Sequence, residues 1–596
     1  MKSFFRIVTI IAAVLFLIYV SIISLPAGAA TIDKDMTIAT LLVTPPFGAP
    51  VAQQVGTIDE LPFRDNAVVY ENDNPGSVVT MYLTIRKGNS TDNTDYTWEQ
   101  VNDFTKYWLT DNQVPVVGKA EVIVQFGDEK GPLPGEVGYS ALTPNGTIQI
   151  RGATTSLAPQ KSYKVELFNN AGTWRGQSTI NLNKHIYDET RFRNKLSFDL
   201  LKVVPDMISL RTQFIHVYVK DETTDPVQTK FVDYGLFTQV EQPNKRFLES
   251  RLLDRDGQFY KVNDFEFYRY PDEIRLVTDP LYDADAFSLR LEIKGNKDHT
   301  KLIQLLDDVN NEAIPIEQTF EKYFNSDNYF TWMAFNILVG NLDTQSQNYY
   351  LYSPKNGTKW YIIPWDYDDA FPLQNKPDLV SYQISSWENG VSNYWGVILH
   401  RRILGVEKYR QLLDEKILEL MNILTPQRIE NLIHLYQPVV DKYTQVLPDS
   451  YYLPSDPAKA RKIADAIPDD IETNYDLYTE SLKKPMPFYL GSPTVEEGRL
   501  SFSWDESYDF NGEDISYHFV IAKDWTLNEI VYDQVLINTT NVQVNFLDPG
   551  GYFWGVTATN ESGYMQYPFD NYYDIDGQSH PGLKRFYITP EGEVLE

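Results

Sequence analysis

The sequence predicts an α+β body followed by an all-β sandwich, and three observations carry that expectation. Strand-like and helix-like stretches mix from about residue 76 to 484. The composition then breaks at Lys483-Lys484-Pro485-Met486-Pro487, and the stretch beyond it, 485–596, alternates with period two. A chain of 596 residues is also too long for a single core, so two or three domains are expected.

Residues 1–30 read as an export element. Lys2 and Arg6 precede an uncharged run from Ile7 to Leu25, and Pro26-Ala27-Gly28-Ala29-Ala30 offers small residues for cleavage. The run is nearly long enough to cross a bilayer, so cleaved signal and retained N-terminal membrane anchor both fit. Either one makes the rest extracytoplasmic. Residues 31–75, rich in Pro, Asp, Asn and Gly, read as an extended leader. Val78 to Arg86 alternates as a strand. Thr97 to Trp108 is helix-like, with Thr97 as N-cap and Gln100 completing a capping box. Glu121 to Phe126 is strand-like. Thr147 to Arg151 and Lys161 to Leu167 form a hairpin-like pair around Ala153-Thr154-Thr155-Ser156, a small-residue loop able to lay backbone N–H groups over phosphates. Asp188 to Leu201 reads as helix, and Phe214 to Lys220 and Tyr234 to Glu241 as strands. Lys301 to Gly340 is mostly helical, Tyr349–Tyr352 and Trp360–Ile363 make a second hairpin, and helices dominate from Val397 to Leu482. In the tail, Leu500–Trp504, Ile515–Ala522, Val542–Phe546 and Gly551–Thr559 alternate well, the spacing of a sandwich.

Composition narrows the functions. A net charge of −30 argues against nucleic-acid binding, because a phosphate backbone would be repelled; basic protein partners and divalent cations suit it. Without cysteine there are no disulfides, thiol nucleophiles or cysteine zinc sites. HExxH, GxSxG and Walker A patterns are missing.

The chemistry concentrates in two acidic loops, Asn341-Leu342-Asp343-Thr344-Gln345-Ser346-Gln347-Asn348 and Pro364-Trp365-Asp366-Tyr367-Asp368-Asp369. Asp343 and Asn348 have the offset of the catalytic Asp and metal-binding Asn of a protein-kinase catalytic loop, and Asp366 arrives where a kinase places its main magnesium ligand. On this reading Asp343 orients the acceptor hydroxyl, Asn348 and Asp366 are metal ligands, and Asp368 is a helper. Two rival readings use the same residues: a glycoside hydrolase with Asp343 and Asp366 as paired carboxylates, and a non-catalytic surface adhesion module.

Several blocks, in order, resemble the spore coat protein H (CotH) kinase family. They are Arg151-Gly152 with Lys161-Ser162-Tyr163-Lys164; Arg193-Asn194-Lys195-Leu196; Tyr234 through Gln242; and Gly340-Asn341-Leu342-Asp343 through Tyr352, then Trp360 and Pro364 through Asp368. Ala153-Thr154-Thr155 departs from the family's usual Asn-Ser-Ser. The resemblance implies an atypical protein-kinase-like domain over residues 76–484, using ATP and Mg2+ to phosphorylate protein serines, notably on spore coats. Its acceptor would be a basic, Ser-rich protein. Lys161 and Lys164 compete for the phosphate, since three positions apart on a strand they face opposite sides; the family block favours Lys161. Arg151 would brace a phosphate, and Glu241 would pair the lysine or sit near the adenine. Trp504 and Gly551-Tyr552-Phe553-Trp554 resemble a fibronectin type III module, so the tail is expected to be an immunoglobulin/fibronectin-like sandwich acting as a spacer or binding platform.

Overall fold

The computed structural model describes residues 63–105, 117–224, 228–372, 387–575 and 579–596. The expected export element and most of the expected leader lie outside the described residues. Among the described residues, no helix is long and apolar enough to cross a membrane.

The body is mixed α+β. Its first part is built from β1 (Val78–Arg86), β2 (Ala120–Asp128), β3 (Gly131–Pro132), β4 (Gly146–Arg151), β5 (Ser162–Leu167), β6 (Thr179–Asn183), β7 (Thr212–Asp221) and β8 (Val232–Glu241). They hydrogen-bond in the order β1-β7-β8-β6-β5-β4-β2-β3, and β1 pairs with β2 as well as β7. That extra pairing closes the sheet into a barrel, with β3 a spur on β2. Alternation sends Leu83, Val124, Ile148, Val165, Leu182 and Phe237 into one enclosed core. It also fixes what the outer face carries. On β4 and β5 the inward Ile150 and Tyr163 are cross-strand partners, as are the outward Gln149 and Lys164. Arg151, two residues on from Gln149, shares that outer face.

The second part centres on a sheet of order β10-β9-β11-β12, formed by β9 (Gln258–Val262), β10 (Leu291–Ile293), β11 (Tyr349–Ser353) and β12 (Tyr361–Pro364). Helix Ser326–Leu338 lies in the core; apart from its first two residues every side chain is buried, as its apolar composition all round requires. Further helices run from Ile398 to Ser481. The third part is β-rich. One sheet holds Thr494–Glu496, Arg499–Ser503 and Asn541–Asn545. The other holds Ile530–Ile537, Ile515–Ala522, Gly550–Asn560, Leu583–Ile588 and Val594–Leu595. Phe502, Phe519 and Trp554 from both sheets share one core.

Three expectations are corrected. The helix expected from Asp188 starts at Arg193, because the Asp188 carboxylate accepts from Thr190 N and Arg193 N and holds a bend instead. The end of the leader is packed rather than extended: Phe63 is buried on Tyr361 (ring centroids 4.3 Å apart), and Asp65 accepts from Ser209 N at 2.8 Å. Glu241 faces neither a site lysine nor an open cleft. Arg251 donates to both its oxygens, at 2.8 and 2.6 Å, and Arg211 adds a second ion pair. Burial opposes the charge, but the two guanidinium groups win and hold its pKa down at about 2.

This triad is structural. Its contribution is present above about pH 4.5, the ordinary carboxylate value, and is lost as the pH falls towards about 2. Glu241→Ala removes the main carboxylate partner of the fully buried Arg251, leaving Asp65 at 3.5 Å, so the denaturation midpoint of the full chain should fall by the equivalent of about 3–5 kcal/mol.

Candidate functional site

Helix Ser326–Leu338 delivers the first acidic loop. Gly340, with φ +62°, ends it in the left-handed conformation, where a Cβ would lie 2.9 Å from Asn474. The chain then runs through Asn341–Asn348 into β11. β11 pairs antiparallel with β12, Tyr349 opposite Pro364, so Asn348 and Trp365 leave the hairpin at the same end. This register brings the two acidic loops side by side. Both hinge on left-handed residues, Asn348 (φ +59°) and Asp366 (φ +58°), a conformation that costs about 1–2 kcal/mol outside glycine and is least unfavourable for Asn and Asp.

Asp343 is half-buried and tightly held. Its carboxylate accepts from Gln347 Nε2 and, at 2.8 Å, from Asn348 Nδ2, which also donates to the Asp343 carbonyl. Its amide nitrogen is thus used twice, and among the described residues no hydrogen bond to Asn348 Oδ1 is seen. Burial raises the Asp343 pKa, aided by the Asp369 and Asp368 carboxylates and opposed by Gln347 and Asn348. Asp366 is pushed up to about 7, first by burial and then by Asp368; Arg151, Lys261 and His185 pull the other way. Asp368 lies 3.9 Å from His185 Nδ1; desolvation opposes its charge, but His185 and Arg151 beside it hold its pKa below the usual carboxylate value. The second loop is braced by Asn194, whose Oδ1 accepts from Tyr367 N at 3.4 Å.

The cations opposite these acids are only partly the expected ones. Arg151 is in place: its guanidinium lies 5.7 Å from the centre of the Trp365 ring and faces Asp366 and Asp368. Lys161 is not in place. It points to the other side of the strand, donates to Ser156 O at 2.7 Å, and has Asp103 as its acidic neighbour. Lys164 is on the site's side but is paired with Glu166 at 3.1 Å, and its charge reaches Glu292. The lysine facing Asp366 is Lys261 of β9, opposite Tyr350 of β11 and Glu292 of β10. Among the described residues it makes no ion pair within 4 Å. Burial lowers its pKa, while Glu292 and Asp366 support its charge. Sequence reasoning passed over Lys261: Gln258-Phe259-Tyr260-Lys261-Val262 carries a strand signal, but not the pairing with β11 that brings the lysine to the site. It also passed over His185 and Gln347.

These residues fit a divalent cation bound together with phosphates. Among the described residues no three His, Asp or Glu side chains converge as a self-sufficient metal cage. Asp366 and the Asn348 amide oxygen are the groups that could hold such a cation, with Arg151 and Lys261 on the opposite side for phosphates.

Comparison with known proteins identifies a family. A model of the CotH kinase protein family matches residues 148–483, more than half of the chain. The inner spore coat protein H of Bacillus subtilis is 26% identical over 226 residues, which cover 37% of this chain and 57% of that protein's length. Among solved structures, the Helicobacter pylori proinflammatory kinase CtkA aligns over 54% of this chain and 94% of its own, at 9% identity and a TM-score of 0.26. The Shewanella oneidensis toxin–antitoxin complex of HipA and HipB with operator DNA aligns over 67% and 74%, at 12% identity and a TM-score of 0.25. Such low scores define no common fold. The family match covers more than half of the chain, and on that match the chain belongs to the CotH kinase protein family.

Proposed function

We propose that this chain is an atypical protein kinase that transfers the γ-phosphate of ATP to a serine or threonine of a protein acceptor. The observation that supports it is the meeting of the Asp343–Asn348 loop and the Asp366 loop at one end of a hairpin, with Arg151 and Lys261 opposite. In the proposed reaction the acceptor oxygen bonds to the γ-phosphorus as the bond to the bridging oxygen breaks. ADP leaves and the hydroxyl proton passes to Asp343. Its raised pKa suits a group that must take a proton, and its two amide donors fix its direction. Lys261 and Arg151 would hold the phosphates and offset their charge. Asp366 and the Asn348 amide oxygen would hold Mg2+, which when bound neutralises phosphate charge.

The acceptor is proposed to be a basic, Ser-rich protein, complementary to the −30 charge of the chain. The spore coat relative and the N-terminal export element support an extracytoplasmic setting such as a spore coat or cell envelope. The β-rich third part is read as a fibronectin-like module.

Incubating the full chain with Mg2+ and γ-labelled ATP, with and without a basic Ser-rich protein, tests the reaction. Label should move to protein, and Asp343→Asn should lower the rate by about 10²–10⁴-fold. An Asp343→Asn chain as fast as the wild type would overturn the assignment. Lys261→Ala should raise the KM for ATP by about 10- to 100-fold, the worth of one charge-assisted contact, whereas Lys161→Ala should leave it unchanged.

The pH dependence follows from Asp366. An acid whose pKa is raised in the folded chain destabilises it increasingly as pH climbs from the ordinary 3.8 to about 7. A cation that binds the carboxylate relieves this cost and must displace the proton below that value. Apparent Mg2+ affinity, read from thermal shifts, should therefore be about tenfold weaker at pH 6 than at pH 8. Asp366→Asn should remove both the affinity and its pH dependence.

A further inference from the structure

We infer that the C-terminal β-rich part is a working component of the site: it clamps the segment that holds the backbone of the Asp343 loop, and His400 on that segment is a positioning residue. The inference rests on the reading of Asp343 as the catalytic carboxylate.

Three of the loop's carbonyl groups are held from outside the loop. Asn393 Nδ2 donates to Leu342 O at 3.3 Å, His400 Nε2 donates to Gln345 O at 3.2 Å, and Phe265 N donates to Ser346 O at 2.8 Å. The first two bracket Asp343 and belong to one short stretch, the 3₁₀ turn Gly390–Tyr394 and the helix Ile398–Leu404. His400 is fully buried amid Phe267, Tyr329, Trp332 and Tyr394, with ring centroids 5.6–6.1 Å away. A carbonyl only accepts, so the ring proton sits on Nε2. That leaves Nδ1 to accept from Tyr329 OH, on the helix that leads into the loop. The imidazole is thus a neutral bridge between helix and loop, and burial keeps it neutral.

The same stretch carries the β-rich part on its other side. Trp395 stacks on Tyr508 at 5.4 Å and meets Phe510 edge-on at 5.6 Å. Gln566 Nε2, fully buried, donates to Ser392 Oγ at 3.4 Å, beside Asn393. Trp387 packs edge-on against Phe569. The third part is therefore packed onto the segment that fixes Asp343, where a tethered spacer would have no reason to bury a tryptophan.

The test uses the full chain. Tyr508→Ala/Phe510→Ala loosens the clamp far from the site, and His400→Phe removes both imidazole hydrogen bonds while keeping a ring. Each should lower kcat by about 10- to 100-fold, the cost of a small misplacement of a reacting group, and leave the KM for ATP within about twofold. His400→Gln, which keeps an amide donor for Gln345 O, should recover most of kcat. Hydrogen exchange at residues 342–348 should quicken in the double variant and in His400→Phe, and return towards wild type in His400→Gln. Wild-type kcat in the double variant would overturn the clamp, and equal losses in His400→Phe and His400→Gln would overturn the positioning role. If the wild-type chain transfers no phosphate, the proposed function fails, and exchange alone judges the clamp: unchanged protection in the variants would overturn it.

Discussion

The antiparallel pairing of Tyr349–Ser353 with Tyr361–Pro364 is the constraint on which the site depends. It forces two acid-bearing loops, separate in sequence, to emerge together, and so concentrates Asp343, Asp366, Asp368 and Asp369 in one place. Such a cluster repels itself, and the elevated pKa values of Asp343 and Asp366 register that repulsion together with burial. A fold keeps an arrangement of this kind when a cation resolves it. The outer face of the barrel contributes Arg151 and the neighbouring strand β9 contributes Lys261, but neither closes into an ion pair with Asp366 in the described residues. The site therefore combines crowded acids with bases that face them, which is what the proposed binding of phosphates with a metal ion requires.

The rest of the molecule holds that geometry from several sides. The buried helix Ser326–Leu338 sets where the first loop begins, and Asn194 and Arg151 reach the second loop from the helix Arg193–Leu201 and the barrel. The far end of the hairpin is pinned as well, where Phe63 stacks on Tyr361. The Glu241–Arg211–Arg251 triad fixes the end of β8 and ties it to Asp65, so a stretch that lacks sequence periodicity is part of the framework.

Most of what was legible in the sequence was local. The hairpin, its turn and the spacing of Asp343, Asn348 and Asp366 are properties of short segments, and the structure places them together. Strand parity also foretold that Lys161 and Lys164 oppose each other. Which of them faces the site depended on the barrel interior, which takes Tyr163 and leaves Lys164 outside. Lys261 was hidden for a non-local reason: its relevance comes from β9 lying beside β11, a sheet order that no single segment encodes. Glu241 misled because an acid at a strand end suits any cation, and its partners Arg211 and Arg251 are brought to it only by the fold. The barrel escaped notice because closure needs β1 to pair with both β2 and β7.

The most direct test is a crystal structure of the full chain with Mg2+ and a non-hydrolysable ATP analogue. The ion is expected at about 2.0–2.1 Å from an Asp366 oxygen and Asn348 Oδ1, with Lys261 against the phosphates and Asp343 facing the γ-phosphate. A nucleotide bound elsewhere, or an ion that ignores Asp366, would contradict it.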